Sequence, residues 1–303
     1  MPTVRQLEYL VAIADIRHFR RAAELVNTTQ PTLSGQLKAL EERLGVELVE
    51  RSRSRVVLTP AGTEIVEIAR RILRDAREIR AIGASHNKKL AGVVRLGLPS
   101  SIGPSLVPKL VPDLKKEYPD LKFYVREEAP SALPNGLAGG LYDIVIGPLP
   151  FADGEFEALE LYTEPLLLAV AADHPLARKS EIGASDMKDL GVLTLEAGHP
   201  LTTLVEAYCA CVGAHVLKNY ASNSLDTLRE MVASGLGASF LPGLYVKTNL
   251  SKDKSVRILE ITGRPLTRTV GVAWRKSTIN GRGRYSDLAE FMKLTAERVI
   301  GKL

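Results

Sequence analysis

The sequence predicts an α/β protein in two parts. An N-terminal winged helix-turn-helix is joined by a long linker helix to a C-terminal, two-lobed, Rossmann-like half. Three observations predict this. Residues Arg17 to Arg51 set two short amphipathic helices around a four-residue turn, Val26-Asn27-Thr28-Thr29. From Pro60 to about Ala84, apolar residues recur at helical spacing over a length that the preceding module does not need. From Val93 onward, short apolar strands alternate with helical patterns, the pattern of an α/β fold with mostly parallel sheets.

In the N-terminal part, Leu7, Leu10, Val11, Ile13 and Ala14 define a first helix over Val4 to Ile16. Phe19, Ala22, Ala23 and Val26 give the second helix one apolar face, and the small Ala22-Ala23 pair lets a crossing helix approach closely. Thr29 suits the N-cap of a third helix, and Pro31 suits its first turn, where a missing N–H has no partner to lose. Leu33, Leu37, Leu40 and Leu44 form the buried stripe of that helix, and Gly45 ends it. Gln30, Pro31, Thr32, Ser34, Gln36 and Lys38 lie largely off the stripe, where short polar side chains suit base edges in a major groove. Between Val46 and Leu58, Arg51, Arg53 and Arg55 alternate with serines. On an extended ribbon they share one face, either as phosphate contacts on a wing or as a surface charge cluster. Thr59-Pro60 opens the long helix. Its expected apolar seam is Ile65, Ile68, Ala69, Ile72, Ala76 and Ile79, for dimer pairing or for packing on its own domain.

In the C-terminal part, residues 93–98, 122–127, 143–147, 164–172, 238–242 and 268–275 read as strands. Ser105 to Tyr118, residues 224–237 and Tyr285 to Arg298 read as helices, with Pro112 an awkward interior residue. The chain crosses between lobes near Tyr162–Pro165 and Arg264–Arg268. In such folds a ligand sits beyond strand C-termini, where helix starts offer free N–H groups. Ser100, Ser101, Ser131, Thr202, Thr203, Asn223 and Ser224 fall at such turns. Each one singly also reads as an ordinary helix cap. Together they suggest a site between the lobes for a small anion, a peroxide or water.

The 303 residues are 45% apolar and 25% charged, a globular composition. No apolar run approaches the roughly 20 residues of a membrane span, and the N-terminus lacks a secretory pattern, so a cytoplasmic protein is expected. The net charge of +5 lies wholly in residues 1–90, with 16 Lys+Arg against 11 Asp+Glu; the remainder has 24 of each. That placement suits a polyanion partner such as double-stranded DNA, though a solvated face would show the same excess.

The run RRAAELVNTTQPTLSGQLKALEERLGVELVERS, followed by LTPAG, resembles LysR-type transcriptional regulators. RHFRRAA, QPTLSGQ, LTLEAGH, LDTLREMVASGLG and LTRTVG extend the likeness to the OxyR-like, peroxide-sensing branch. The resemblance implies a DNA-binding domain over residues 1–59, a linker helix over 60–89 and a periplasmic-binding-protein-like effector domain over 90–303. Its lobe I would be residues 90–163 with 268–303, and lobe II residues 164–267. It implies a homodimer or homotetramer on promoter DNA, with RNA polymerase as a possible contact and hydrogen peroxide or a small effector as the signal. It also places Gln30, Pro31, Thr32, Ser34 and Gln36 at the groove and Arg51, Arg53 and Arg55 near phosphates.

In that branch a reactive cysteine follows the Gly-His pair and a second lies nine residues later. Here His199 is followed by Pro200, Cys209 fills the second position, and Cys211 is additional. Pro200 offers no sulfur for His199 and Arg268 to activate. Cys209 and Cys211, about 200° apart on a helix, cannot bridge, and both read as buried structural thiols. Pro200 is then either a replacement that freezes a reduced-like state, or the mark of a relative that answers another signal.

Two other classes fit less well. An enzyme on the α/β half would need one of the nucleotide, nucleophile or zinc motifs, none of which is present, so neither catalysis, cofactor nor metal is expected. A solute-binding receptor would not need the N-terminal helix-turn-helix.

Overall fold

The computed structural model describes residues 1–51, 56–85, 90–151, 156–179, 181–276 and 285–301. The chain divides into two compact units, one over Met1–Leu90 with Gly139–Leu141 and the other over the remainder. In the first, α1 (Val4–Ile16) opens with Thr3 and Gln6 in a reciprocal capping box and stops at Arg17, which adopts a left-handed φ of 52°. Helix α2 (Phe19–Leu25) buries Ala22 and Ala23. Helix α3 (Gln30–Leu44) starts at the Thr29 cap with Pro31 in its first turn and ends at Gly45, φ 71°. Leu33, Leu37 and Leu40 are fully buried with Leu10, Ile13 and Ala22, each leucine contributing about 2 kcal/mol. Leu44, expected on the same stripe, is exposed, because the helix outruns the core there.

Strands β1 (Val49–Arg51) and β2 (Val56–Leu58) pair antiparallel and form the wing. The Glu41 carboxylate accepts the Leu48 and Val49 amides at 2.9 and 3.2 Å, tying α3 to β1. Helix α4 (Pro60–Ser85) follows at once, and a Cβ at Gly62 would lie 2.0 Å from the Leu48 carbonyl oxygen, so only glycine fits. The expected seam of α4 divides. Ala69 is buried with Leu73 against Leu7 of α1, while Ile68, Ile72 and Ile79 remain exposed. Arg70 anchors the packed face through Asp15 at 2.5 Å.

The second unit runs β3 (Gly92–Leu98), α5 (Gly103–Glu117), β4 (Leu121–Glu127), α6 (Leu133–Ala138), β5 (Ile144–Pro148) and β6 (Phe156–Ala171). It continues through β7 (Gly191–Leu195), α7 (Pro200–Val212), β8 (His215–Ser222), α8 (Leu225–Ala233), β9 (Ala238–Pro242), α9 (Gly243–Asn249), β10 (Val256–Leu259), β11 (Thr267–Arg275) and α10 (Ser286–Ile300). The strands join in the order β4-β3-β5-β11-β6-β9-β7-β8, with β10 also on β6.

The sheet is mixed, not mostly parallel. The β3–β4, β3–β5, β7–β8 and β7–β9 pairs are parallel, while β11 runs antiparallel to β5 and β6, and β6 to β9 and β10. The cause is β6, sixteen residues long, which pairs with β11 up to Pro165 and with β9 from Leu166 onward. Pro108 and Pro112 both sit inside α5. With Pro104 they recur every four residues on its exposed side, where freed carbonyls meet water, while Leu106, Leu110 and Leu114 face inward.

Candidate nucleic-acid interface and effector site

On α3, Gln30, Pro31, Thr32, Gln36 and Lys38 are exposed and Ser34 is half-buried. Several already have partners. The Thr32 and Thr29 hydroxyls lie 2.8 Å apart, Lys38 lies 3.7 Å from Glu42 one turn on, and Gln36 accepts from Gln6 at 3.3 Å. The turn before α3 is held by Arg5, which the sequence reading missed. Its guanidinium lies over the Tyr9 ring at 4.9 Å, donates to the Tyr9 hydroxyl at 3.1 Å and to the Val26 carbonyl at 2.9 Å. Arg51 closes β1; its side chain, and Arg53 and Arg55, lie outside the described residues.

In the second unit the centre is Arg268 on β11. It is buried, its Nε donates to Glu164 Oε1 at 2.9 Å, and its Nη2 donates to the Ser101 carbonyl at 3.0 Å. Glu164, wholly buried on β6, also accepts the Leu244 amide at the start of α9 at 2.6 Å. Glu164 is Arg268's partner in the β6–β11 register, and Tyr162, two residues back, shares its face of the sheet. Neither Glu164 nor Tyr162 was singled out from sequence. The available signal was an acid at the head of an apolar strand.

Three buried polar atoms here have no hydrogen-bond partner among the described residues: Arg268 Nη1, Tyr162 Oη and Ser101 Oγ. Unpaired donors buried in this way are costly, so a cluster of them asks for a ligand or water. Burial, with the nearby Glu164 charge, pushes the Tyr162 phenol up, so it stays a neutral donor. His199 is lowered to about 4, first by burial and then by the charge of Arg268. Its Nδ1 accepts the Leu201 amide at 3.0 Å, so the neutral ring carries its proton on Nε2.

The other expected residues divide. Ser100 donates to the Asn223 carbonyl at 3.3 Å, joining the β3–α5 turn to the start of α8. Thr202 spends its hydroxyl on the Leu195 carbonyl at 2.8 Å. Thr203 and Ser131 are exposed, the latter on a 3-10 turn over Pro130–Ala132. Ser224 stands at the N-cap of α8 without a side-chain cap bond.

Pro200 is the first residue of α7, with His199 as its cap. Cys209 is buried in the core beside Tyr208, and burial pushes its thiol up to about 11. Cys211 is exposed, contrary to expectation, because two residues of helical turn place it on the opposite side from Cys209. Among the described residues no cluster of His, Cys, Asp and Glu is arranged to hold a metal. No helix there is long and apolar enough to cross a membrane.

A helix-turn-helix and wing followed by a mixed α/β sheet with a buried polar centre is the architecture of a DNA-binding transcriptional regulator. The chain belongs to the LysR family. Residues 4–63 match the bacterial regulatory helix-turn-helix protein of the lysR family, and residues 87–292 match the LysR substrate binding domain. Within the family it is OxyR-like. It is 37% identical over 290 residues to the DNA-binding transcriptional dual regulator OxyR of Escherichia coli K12, covering 96% of this chain and 94% of that protein. It is 34% identical to the hydrogen peroxide-inducible genes activator of Haemophilus influenzae, over 99% of each chain. A full-length Pseudomonas aeruginosa OxyR, with aspartate in place of a cysteine, superposes with a TM-score of 0.76 at 34% identity, covering 97% of this chain and 94% of that one. Similarity also reaches the regulator EstR of Acinetobacter baylyi, 34% identical over 92% of each chain.

Proposed function

We propose that this chain binds operator DNA as a homodimer or homotetramer in the cytoplasm. It controls oxidative-stress or related genes through a signal read without covalent chemistry, by binding rather than turnover. The observation that carries the second half is the triad of unpartnered buried polar atoms around Arg268, next to a helix start where the cysteine of the peroxide-sensing pattern is Pro200. Arg268 Nη1, the Tyr162 and Ser101 hydroxyls and the His199 Nε2–H are mostly donors, so the ligand carries acceptor oxygens. Hydrogen peroxide itself, held but not reduced, and a small oxyanion or carboxylate both qualify.

The DNA half rests on the residues of α3 and on the basic N-terminal charge. Gln30, Pro31, Thr32, Ser34, Gln36 and Lys38 take the groove, and Arg51, Arg53 and Arg55 the backbone. A ligand that changes how residues 90–163 with 268–303 sit against 164–267 would re-space the paired subunits, altering DNA bending or contact with RNA polymerase.

The test is equilibrium binding to cognate and random duplexes over a range of salt, with and without peroxide or small carboxylates, for wild type and Pro200→Cys. Wild type should prefer the cognate duplex and should respond to a ligand with Cys209→Ser in place. Arg53→Ala should weaken both duplexes and reduce the salt slope, while Gln30→Ala should relax base preference. A peroxide response that appears only in Pro200→Cys would refute the non-covalent reading and mark the proline as a lesion in an intact switch.

A further inference from the structure

One polar side chain on α3 is oriented from outside that helix. Gln6, on α1, is 4% exposed, and Gln36 is exposed. The Thr3 backbone amide donates to Gln6 Oε1 at 3.1 Å, and the Gln6 amide returns a bond to Thr3 Oγ1 at 3.2 Å. A backbone N–H can only donate, so Gln6 turns its carbonyl oxygen towards Thr3 and its amide nitrogen away. That nitrogen donates to Gln36 Oε1 at 3.3 Å. The chain of donors fixes Gln36 in turn, with its carbonyl inward and its NH2 group outward. An unrestrained glutamine on a helix surface would offer either end.

We propose that Gln6 is a positioning residue for DNA recognition: it holds Gln36 with its NH2 group outward, as a donor towards an acceptor on the duplex. The proposal rests on the reading of α3 as the recognition helix. The acceptor is either a base edge, purine N7 or guanine O6, or a phosphate oxygen. Gln6 takes one lone pair of the Gln36 carbonyl oxygen and leaves the other, so the outward NH2 group donates whether Gln36 meets purine N7 alone or N7 together with the amino group of an adenine. Gln6, buried on another helix, acts only through this bond.

The discriminating variant is Gln6→Glu in the full chain. One glutamate oxygen still accepts the Thr3 amide, but the other now faces Gln36 as an acceptor. Gln36 must flip to donate inward and present its carbonyl oxygen outward. Wild type and variant are each used to select sequences from a randomised duplex pool, and affinities are then measured on the wild-type-selected duplex and on a scrambled one.

If the acceptor is a base edge, preference at one base pair of each half-site moves to a base presenting an amino group, cytosine N4 or adenine N6, with other positions unchanged. If it is a phosphate, affinity falls about tenfold on both duplexes with preference retained, the loss of one good hydrogen bond. In either case Gln6→Glu should add nothing in a Gln36→Ala background. Gln36→Glu, which keeps the bond from Gln6 and offers only acceptors outward, should reproduce the same change should Gln6→Glu fail to fold. Unchanged preference and affinity in both glutamate variants, or an effect of Gln6→Glu that persists in Gln36→Ala, overturns the proposal alone. A wild type that selects no sequence overturns it together with the reading of α3.

Discussion

Glu164 and Arg268 face each other across the β6–β11 ladder with their side chains 0% and 5% exposed, Arg268 Nη2 lying 2.8 Å from Glu164 Oε1. The pair links four segments, β6, β11, the β3–α5 turn and the start of α9, because Arg268 also holds the Ser101 carbonyl and Glu164 the Leu244 amide. Removing one member strands a buried charge. Glu164→Leu should therefore destabilise the chain by about 3–5 kcal/mol, read as a lower urea midpoint at unchanged slope. A loss under about 1 kcal/mol would mean that water reaches and solvates Arg268.

His199 supplies a pH dependence with a definite sign. Its folded pKa, about 4, lies below the ordinary 6.5, first because of burial and then because of Arg268. The unfolded chain binds the proton more readily, so stability falls as pH drops from about 6.5 towards 4 and the contribution levels off below that. The full effect is on the order of 3 kcal/mol, at about 1.4 kcal/mol for each pH unit between 6.5 and 4. His199→Asn keeps an acceptor for the Leu201 amide while removing the titration. Urea unfolding at intervals between pH 4 and 7 should show a shallower slope for the variant, and parallel curves would contradict the assignment.

The helix-turn-helix was far more legible than the candidate effector site, and the reason is range. The span of α1, the Thr29 cap, the end at Gly45 and the Leu33/Leu37/Leu40 stripe are set by contacts within a turn or two of helix. The cluster around Arg268 is assembled from the β3–α5 turn, β6, β11 and the cap of α7, and its central partners are 104 residues apart. Periodicity carries no information about such a pairing. In the sequence Glu164 is only the acidic first residue of the apolar run 164–172, and only the register with Arg268 gives it a role. The same limit explains α4. Its repeat of isoleucines was visible, but not that α1 covers the Val66/Ala69/Leu73 side and leaves Ile68, Ile72 and Ile79 open.

The two thiols should separate cleanly. Burial pushes Cys209 up to about 11, so near pH 8 only about one part in a thousand is thiolate, inside a core that must open for attack. Cys211 is exposed on the other side of α7. An aromatic disulfide reagent should titrate one thiol per chain within minutes and the second only on unfolding. Cys211→Ser should abolish the fast phase, and Cys209→Ser should leave it intact. Two equal fast phases would show that Cys209 is open to solvent and would reopen a redox role for it.

The exposed isoleucines of α4 lead to a prediction about assembly. Ile68, Ile72 and Ile79 are 46%, 42% and 71% exposed and recur at four- and seven-residue intervals, so they form one apolar row on a single face of the helix. The row has water on one side at a cost that a second copy of the helix would remove. Ile72→Glu places a charge in the middle of it without touching Leu7, Ala69 or Leu73, which hold α4 to its own unit. The variant should sediment as a lighter species than wild type at micromolar concentration while keeping its thermal midpoint within a few degrees. Its affinity for a two-half-site duplex should fall at least tenfold, and its affinity for a single half-site much less, since only the gain from joining two sites is lost. An unchanged sedimentation coefficient would remove α4 as the pairing element and leave the row without a partner.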